Sequence, residues 1–424
     1  MSTERIPCKN PDCRSTILPA TAKANQGLCA PCIGRIRKAE WDEYVRQNRK
    51  TVNLYESVAD PVEIIRIMLT QRRHDPLIVY APPPISAEQA FASLSPEQHR
   101  QLSTMAADCL VAGETDLCQN IAKSLATLTE ANLDTMLHCC LDNGNLWPSV
   151  AFRRAGASVR DRILERIEAG SGNLNHALCA LAWIGDSVVV EKFAEWEESP
   201  PTWRSQLRVG LDSYTLEGGW ELTVSGRRDL YFDECYALEI VPDDAAASGV
   251  KLLNETREKC PLCGDRLVHL LEIPLRGGPL AFLPFRGALL PVLTCERCTC
   301  WNMFAFARVG ETGDAKWHHA NPDSVPPHAR GFEFDRGPWQ GKRIALRKRP
   351  AIHAVDWCMQ VASSQIGGMP TWVQSPAYPR CPDCARLMMF VAQLDNGAFP
   401  GHEGTYYAFI CRDCRVTATC YQQT

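Results

Sequence analysis

The spacing of apolar residues is helical throughout residues 95–205. Ser95 followed by Pro96 is typical of a helix start, because a serine side chain caps the first turn and proline fits the first helical position. Thr129 and Ser158 are predicted to begin further helices in the same stretch. The pattern therefore predicts a helical domain over residues 95–205.

Part of this domain, the apolar segment Ala177–Asp186 and the Val188–Phe193 segment after it, resembles a HEAT repeat. Gly185 and Asp186 would form the turn between the two helices. A helix pair of this kind cannot bury its apolar face alone, so such pairs stack. Nine Lys and Arg against 15 Asp and Glu give the domain a charge of −6. We predict a HEAT-like stack whose concave face suits a protein partner. The alternative is that the helices pack only on the rest of the chain.

The segments on either side of the helical domain have different patterns. Residues 51–94 contain one short predicted helix, Pro61–Leu69, and an apolar run at 77–81 that leads into three prolines, which favours a connector. Residues 206–257 show alternation and turn signals that predict strands. We assign 206–424 to a β-rich domain, so the predicted fold class is α+β.

Twelve of the 21 cysteines form six close pairs, and the pairs form three sets. The sets are Cys8, Cys13, Cys29 and Cys32; Cys260, Cys263, Cys295 and Cys298; and Cys381, Cys384, Cys411 and Cys414. A two-residue spacer points both sulfur atoms at one ion, and two such pairs complete a tetrahedron with metal–sulfur distances of about 2.3 Å. Four thiolates select zinc or iron, and zinc is favoured because nothing in the sequence indicates redox chemistry. Four protein ligands leave no open position for an activated water, so we predict three structural zinc sites.

The second and third sets lie in an internal repeat. The segment that begins at Cys260 aligns with the segment that begins at Cys381, and Leu293–Trp301 aligns with Phe409–Thr417. Each copy consists of a cysteine pair, an apolar strand, a long excursion, a second strand, a second cysteine pair and a third strand. The repeat predicts a duplicated zinc-knuckle β module.

Between the two copies lies the sequence Ile-Gly-Gly-Met-Pro-Thr-Trp-Val-Gln, at positions 366–374. Together with the following Cys-Pro-Asp-Cys pair and with Met388, Phe390 and Gln393–Leu394, this sequence resembles the YwqG-like family of bacterial proteins. The resemblance is strongest over 366–394 and implies a β-rich intracellular domain of no established activity. The proteins that accompany this family suggest a further hypothesis, immunity to a bacterial toxin.

Residues 1–50 combine the first cysteine set, whose first spacer has four residues, with a basic helix after Cys32. Ten Lys and Arg against five Asp and Glu give this segment a charge of +5, and a zinc tetrathiolate would remove two of these charges. A zinc ribbon with basic flanks is typical of nucleic-acid contacts, and the basic run at 342–349 could extend such a surface. The alternative is a small capping module with a solvated helix.

The overall composition narrows the location of the protein. The chain has 424 residues, a net charge of −4 and a pI near 6.2, which argues against a protein that coats nucleic acid with its whole surface. No apolar run approaches the roughly 18 residues of a membrane span, and the N-terminus lacks an apolar signal core. We therefore predict a cytoplasmic protein with no membrane contact. A reducing compartment agrees with metal-bound cysteines, and the remaining nine cysteines are expected to pack in cores.

The sequence contains no phosphate-binding loop, His-Glu-x-x-His, Gly-x-Ser-x-Gly or zinc-deaminase signature. His318 and His319, with His328 after them, faintly resemble the histidine turn of HNH nucleases, but a first acidic residue is missing. We predict a non-enzymatic, zinc-stabilised protein that binds another protein. The alternatives are nucleic-acid binding through the N-terminal ribbon and a cryptic HNH-like nuclease.

Overall fold

The computed structural model describes residues 5–300, 304–323, 339–352, 364–395 and 404–423. The chain divides into two compact units, which span Met1–Ser93 and Leu94–Thr424. Helices and β-sheets both contribute to the described residues, so the predicted mixture of α and β structure is confirmed.

The first unit contains short strands and four helices within its described residues. The helices are α1 (Pro19–Ala24), α2 (Ala30–Asn48), α3 (Pro61–Leu69) and α4 (Ala87–Ala92), and the strands are β1 (Ile6–Pro7), β2 (Thr16–Ile17), β3 (Lys50–Val52) and β4 (Ile78–Tyr80). Strands β1 and β2 pair antiparallel, whereas β3 and β4 pair parallel. The helix predicted over Pro61–Leu69 is confirmed, and it begins where the Asp60 carboxylate accepts a hydrogen bond from the Val62 N–H.

The second unit begins with helices. They are α5 (Pro96–Val111), α6 (Thr115–Leu128), α7 (Asp134–Asp142), α8 (Ala157–Glu168), α9 (Leu174–Ile184), α10 (Ser187–Glu198) and α11 (Leu211–Glu217), with 3-10 turns at Ser149–Phe152 and Thr202–Gln206. No helix among the described residues combines the length and the apolar character that crossing a membrane requires. The HEAT-like stacking of these helices stays a prediction.

Local sequence signals explain several of these helix ends. The predicted start at Ser95 is confirmed, because the Ser95 hydroxyl accepts from the Gln98 N–H and the Gln98 side chain accepts from the Ser95 N–H. Gly185 ends α9 in the left-handed conformation, at φ 54°. The start predicted at Thr129 is wrong: its hydroxyl donates to the Leu125 carbonyl and closes the end of α6, and α7 begins only at Asp134.

The rest of the second unit is β-rich. The strands are β5 (Trp220–Thr223), β6 (Gly226–Asp229), β7 (Phe232–Val241), β8 (Lys251–Lys259), β9 (Arg266–Pro274), β10 (Leu289–Thr294), β11 (Ala305–Val309), β12 (Ala315–Trp317), β13 (Arg343–Arg349), β14 (Gln365–Gly368), β15 (Met389–Leu394), β16 (Gly404–Cys411) and β17 (Val416–Gln423), with the short helix α12 (Glu296–Thr299) after β10. Eight strands form one antiparallel sheet in the order β12-β11-β17-β16-β15-β14-β7-β13. A second sheet has the order β10-β9-β8, and β5 pairs with β6.

The two larger sheets share one hydrophobic core. Leu271 and Val292 enter it from the three-stranded sheet, and Ile344 and Val391 enter it from the eight-stranded sheet, all with 0% exposure. Full burial of one such side chain stabilises the fold by about 1.5–3 kcal/mol before conformational entropy is subtracted.

Strand β16 is covered on both faces, which explains its unbroken burial. Because successive side chains point to opposite faces of a strand, Tyr406 and Ile410 enter the core between the sheets, and Tyr407 and Phe409 enter a second core that also contains Cys411. This second core lies on the opposite face of the large sheet and holds the third cysteine set.

The two copies of the internal repeat have the same order of elements but use their third strands differently. In the second copy, β15, β16 and β17 follow one another in one sheet. In the first copy, β9 and β10 pair in the small sheet, whereas β11 joins the large sheet and pairs antiparallel with β17. The duplication of the module itself stays a prediction.

Candidate metal centres

The four sulfur atoms of each predicted set lie within 4.8 Å of one another. The measured sulfur–sulfur distances are 3.6 Å for Cys13–Cys29, 3.7 Å for Cys260–Cys298, 3.5 Å for Cys263–Cys295 and 3.6 Å for Cys384–Cys411. A metal–sulfur bond of about 2.3 Å places the sulfurs of a tetrahedral site about 3.8 Å apart, whereas a disulfide requires about 2.05 Å. Each group could therefore hold a four-coordinate metal ion, and the donor atoms are consistent with zinc. Four thiolates around such an ion would act as a structural cross-link.

The first set joins the β1–β2 hairpin to the start of α2. Cys29 is the N-cap residue of α2, and its N–H donates to the Cys8 sulfur at 3.2 Å. Two side chains donate to the Cys32 sulfur, Asn10 at 3.3 Å and Arg35 at 3.1 Å. These two hydrogen bonds lower the pKa of the Cys32 thiol to about 6, so this ligand is ready to bind a cation near neutral pH. Sequence spacing found the four cysteines but gave no signal for Asn10 and Arg35.

The second set is the most enclosed. Cys260, Cys295 and Cys298 are buried, and Cys263 is half-buried. Hydrogen bonds from Cys295 and Cys298 hold the pKa of Cys260 well below the usual thiol range, and the same contact raises the pKa of Cys295. Hydrogen bonds from neighbouring thiols can therefore stabilise one thiolate. Four adjacent thiolates repel one another and require a cation at the centre.

The third set is part of the second core. Cys381 and Cys384 stand in a loop whose ends, Arg380 and Leu387, form an isolated antiparallel bridge. Cys411 ends β16, and burial raises the pKa of its thiol to about 11. At neutral pH this thiol keeps its proton unless a metal ion displaces it, so metal binding here releases protons.

The first cysteine pairs of the second and third sets have matching backbone hydrogen bonds. The Cys260 N–H donates to Asp265 O at 2.7 Å, and the Cys381 N–H donates to Arg386 O at 2.9 Å. Each loop also has a left-handed residue directly after its second cysteine, Gly264 at φ 81° and Ala385 at φ 59°. The second pairs differ, because Cys295 caps a helical turn and Cys411 precedes a tight turn between two strands.

His318 is packed beside the third set. It is 2% exposed, and burial lowers its pKa. Its Nδ1 accepts a hydrogen bond from the Ala320 N–H at 3.1 Å, and its Nε2 lies 3.2 Å from a carboxylate oxygen of Asp383. The Asn321 side chain makes two hydrogen bonds to the backbone of Phe306, at 2.7 and 2.8 Å. One ring nitrogen of His318 therefore contacts the backbone of its own turn, and the other contacts Asp383 in the loop of the third cysteine set.

The other histidines of the nuclease hypothesis do not join a metal site in the described residues. His319 is exposed and stacks on His318 with ring centroids 4.4 Å apart, and His328 lies outside the described residues. In the part of the chain that the structure describes, three or more potential metal ligands come together only at the three cysteine sets. The nuclease hypothesis therefore gains no support from the described geometry.

Most of the basic run predicted at 342–349 forms β13, and two of its charges are paired across the sheet. Lys348 lies 3.0 Å from a carboxylate oxygen of Glu234, and Arg347 lies 2.5 Å from one of Glu239. Both acids are on the neighbouring strand β7. These ion pairs reduce the positive potential that the sequence alone suggests for this strand.

The glycine-proline motif at 366–374 is part of the interior. A Cβ atom on Gly367 would lie 2.1 Å from the Glu234 carbonyl oxygen, so only glycine fits. The Gln393 side chain accepts from the Thr371 N–H at 2.9 Å, and the Trp372 ring packs on Tyr407 with centroids 4.6 Å apart. The residues of this segment therefore serve packing and backbone pairing, which agrees with a structural motif.

Comparison with known proteins places the whole chain in one family. The chain is 37% identical over 428 residues to the uncharacterized protein YpfL of Salmonella typhimurium (strain LT2), and the match covers 99% of this chain and 100% of the relative. No family model and no solved structure matches it. At this identity and coverage, the chain belongs to the YpfL family.

Proposed function

We propose that this chain is a non-enzymatic, zinc-stabilised cytoplasmic protein that binds another protein through one face of α2. The observation that carries the proposal is an exposed aromatic stripe on a helix whose first turn contributes two ligands to the first cysteine set. The C-terminal motif similar to the YwqG-like family agrees with a bacterial protein of this kind.

Helix α2 is exposed over most of its length. Of its 19 residues only Cys32 and Val45 are buried. Trp41 and Tyr44 are each 49% exposed and stack on one another with ring centroids 5.6 Å apart, and Ile36 is 43% exposed. Trp41 and Tyr44 are three residues apart, so helical geometry places both rings on one face of the helix. Trp and Tyr dominate the energetic centres of protein interfaces, because they bury a large rigid area at low cost in conformational entropy.

Zinc binding would fix the orientation of this stripe. Cys29 and Cys32 lie at the start of α2, and zinc would join them to Cys8 and Cys13 of the hairpin. A helix that emerges from a four-thiolate site is held at its first turn, so its remaining turns can stand exposed without a hydrophobic core beneath them. The metal therefore has a structural role that serves binding.

The charge pattern of α2 favours a protein partner over nucleic acid. The helix carries four basic residues (Arg35, Arg37, Lys38 and Arg46) and three acidic residues (Glu40, Asp42 and Glu43). Arg46 is already paired with Glu43. Carboxylates beside the aromatic stripe repel a phosphate backbone, whereas mixed charge around an aromatic centre is typical of the rim of a protein interface.

The test uses the full chain and two sets of variants. A partner captured from cell extract is purified and mixed with the wild-type protein, with Trp41→Ala and with Tyr44→Ala. The control is Val111→Ala, which removes a more exposed apolar side chain from α5. Binding is measured by isothermal titration calorimetry. We expect each aromatic variant to weaken binding by about thirtyfold, which corresponds to about 2 kcal/mol, and the control to leave binding unchanged.

Two outcomes would reject the proposal. Equal affinity of the wild-type protein and the α2 variants would remove α2 from the interface. Material that co-purifies but is destroyed by nuclease, with a salt dependence typical of phosphate contacts, would establish the nucleic-acid alternative instead. The narrower role in toxin neutralisation requires that the captured partner be toxic when expressed alone and harmless when co-expressed with this chain.

A further inference from the structure

A cleft of about 610 Å³ opens in the second unit. Its walls come from α10, α11, the 3-10 turn at Thr202–Gln206, strand β5 and the loop bridged by Arg380 and Leu387. The volume lies within the range of about 300–1,000 Å³ that is usual for small-molecule sites.

The lining of the cleft combines apolar side chains with polar ones, and two of its residues, Thr215 and Tyr378, carry hydroxyl groups. The Thr215 hydroxyl donates to the Asp212 carbonyl. Phe193, Leu211 and Leu387 line the cleft, and so does Tyr378, which is 6% exposed. The Tyr378 hydroxyl is buried and has no hydrogen-bond partner among the described residues. Its ring is held edge-on to Trp372, with centroids 5.2 Å apart. A buried hydroxyl without a partner costs about 1–3 kcal/mol, so a fixed hydroxyl that lines a cleft points to a ligand group that would satisfy it.

The rim of the cleft carries both signs of charge. Arg204 and Arg380 line it, and neither has a carboxylate partner among the described residues, although Arg380 donates to the Ala385 carbonyl at 3.2 Å. Glu197 and Asp212 also line it, and no cation in the described part of the chain pairs with either of them. Two guanidinium groups and two carboxylates are therefore available to a ligand.

We propose that this cleft binds a short peptide with free amino and carboxyl termini. A ligand with only negative charge would meet Glu197 and Asp212, and a ligand with only positive charge would meet Arg204 and Arg380. A zwitterion satisfies both pairs, since arginine binds carboxylates in a bidentate manner and carboxylates accept from an ammonium group. Apolar side chains of the peptide would occupy the interior, and a peptide carbonyl would accept a hydrogen bond from Tyr378. This site is separate from the α2 surface, and its test does not depend on the proposed protein partner.

The experiment titrates four forms of one dipeptide into the full chain. The probes are Leu-Phe, N-acetyl-Leu-Phe, Leu-Phe amide and N-acetyl-Leu-Phe amide, which carry both charges, only the carboxylate, only the ammonium and neither charge. Binding is followed by saturation-transfer NMR, which detects affinities as weak as millimolar. We expect Leu-Phe to bind at least tenfold more tightly than each of the three blocked forms.

Three variants locate the site. Arg204→Ala combined with Arg380→Ala is expected to weaken Leu-Phe binding at least tenfold, and Tyr378→Phe about threefold to tenfold. Arg208→Ala removes an exposed arginine that does not line the cleft, so it should leave binding unchanged. Thermal melting of each variant checks that the fold is intact. Equal binding of all four probes, no binding of Leu-Phe, or full binding by folded variants of Arg204 and Arg380 would each overturn the proposal.

Discussion

Glu217 provides a sharp test of the packing between α11 and its surroundings. It is the last residue of α11, it is half-buried, and no described basic residue pairs with it. Burial raises the pKa values of Cys179 and Tyr378, and the nearby charge of Glu217 raises them further. Burial raises the pKa of Glu217 from 4.5 to about 7, because a carboxylate in this environment loses its hydration. The folded state is therefore more stable when Glu217 is protonated than when it is ionised.

The sign and size of the effect follow from linkage. Between pH 4.5 and 7 the folded state holds a proton that the unfolded state has released, so the free energy of unfolding falls as the pH rises through this interval. A rise of the pKa from 4.5 to about 7 corresponds to an upper limit of about 3 kcal/mol. Glutamine has nearly the same shape and no charge. We therefore expect Glu217→Gln to be about 1–3 kcal/mol more stable than the wild-type protein at pH 8, with little difference at pH 5.

The assay is urea unfolding at pH 5, 6, 7 and 8, followed by tryptophan fluorescence. The exposed Glu198→Gln serves as the matched control, and its difference from the wild-type protein should not change with pH. Loss of metal at low pH affects all three proteins alike and cancels in the comparison. A difference between Glu217→Gln and the wild-type protein that is the same at pH 5 and pH 8 would refute the buried-carboxylate reasoning.

Three further predictions concern the metal ions and two tyrosines of the second core. Elemental mass spectrometry should find three zinc ions per chain, two in Cys381→Ala and three in the control Cys420→Ala, and a strong chelator should lower the melting temperature of the wild-type protein. Iron, or an unchanged melting temperature after the metal is removed, would contradict structural zinc. Tyr378→Phe should raise the free energy of unfolding by about 1 kcal/mol because it removes a buried hydroxyl without a partner. Tyr407→Phe should lower it by about 1–2 kcal/mol, because that hydroxyl donates to Thr371 O at 2.6 Å and accepts from the Val373 N–H at 3.0 Å. Urea unfolding of both variants distinguishes the two cases, and a loss of stability in Tyr378→Phe would show that its hydroxyl is already satisfied.

The cysteine sets could be predicted from the sequence because their chemistry is local. Two cysteines with a two-residue spacer form one half of a site wherever the chain goes, and the order of the pairs indicates which halves meet. Local signals also predicted the helix start at Ser95 and the helix Pro61–Leu69. The prediction at Thr129 is wrong because a threonine can either begin a helix or end the previous one. Here its hydroxyl donates to the Leu125 carbonyl, so it ends α6.

Features that depend on distant pairing could not be predicted in this way. The basic run at 342–349 suggested a surface for nucleic acid, but the acids that pair with Arg347 and Lys348 come from strand β7, about a hundred residues earlier. The departure of β11 from the first repeat copy to pair with β17 has no local signal either. Tyr378 and Arg204 meet in one cleft only because the loop of the third cysteine set packs near α11.

The order of strands in the large sheet has a consequence for folding during synthesis on the ribosome. Strands β7 and β11 are made early, but they find their neighbours β14 and β17 only after most of the β-rich segment has been synthesised. Contacts of such long sequence separation form slowly, and unpaired strand edges invite association with other chains while they wait. The small sheet β10-β9-β8 can close first, because its strands are consecutive. Strand β11 pairs with β12 on one side, so its other edge stays unpaired until β17 has been synthesised. The large sheet is therefore complete only when this last strand of the sequence is in place.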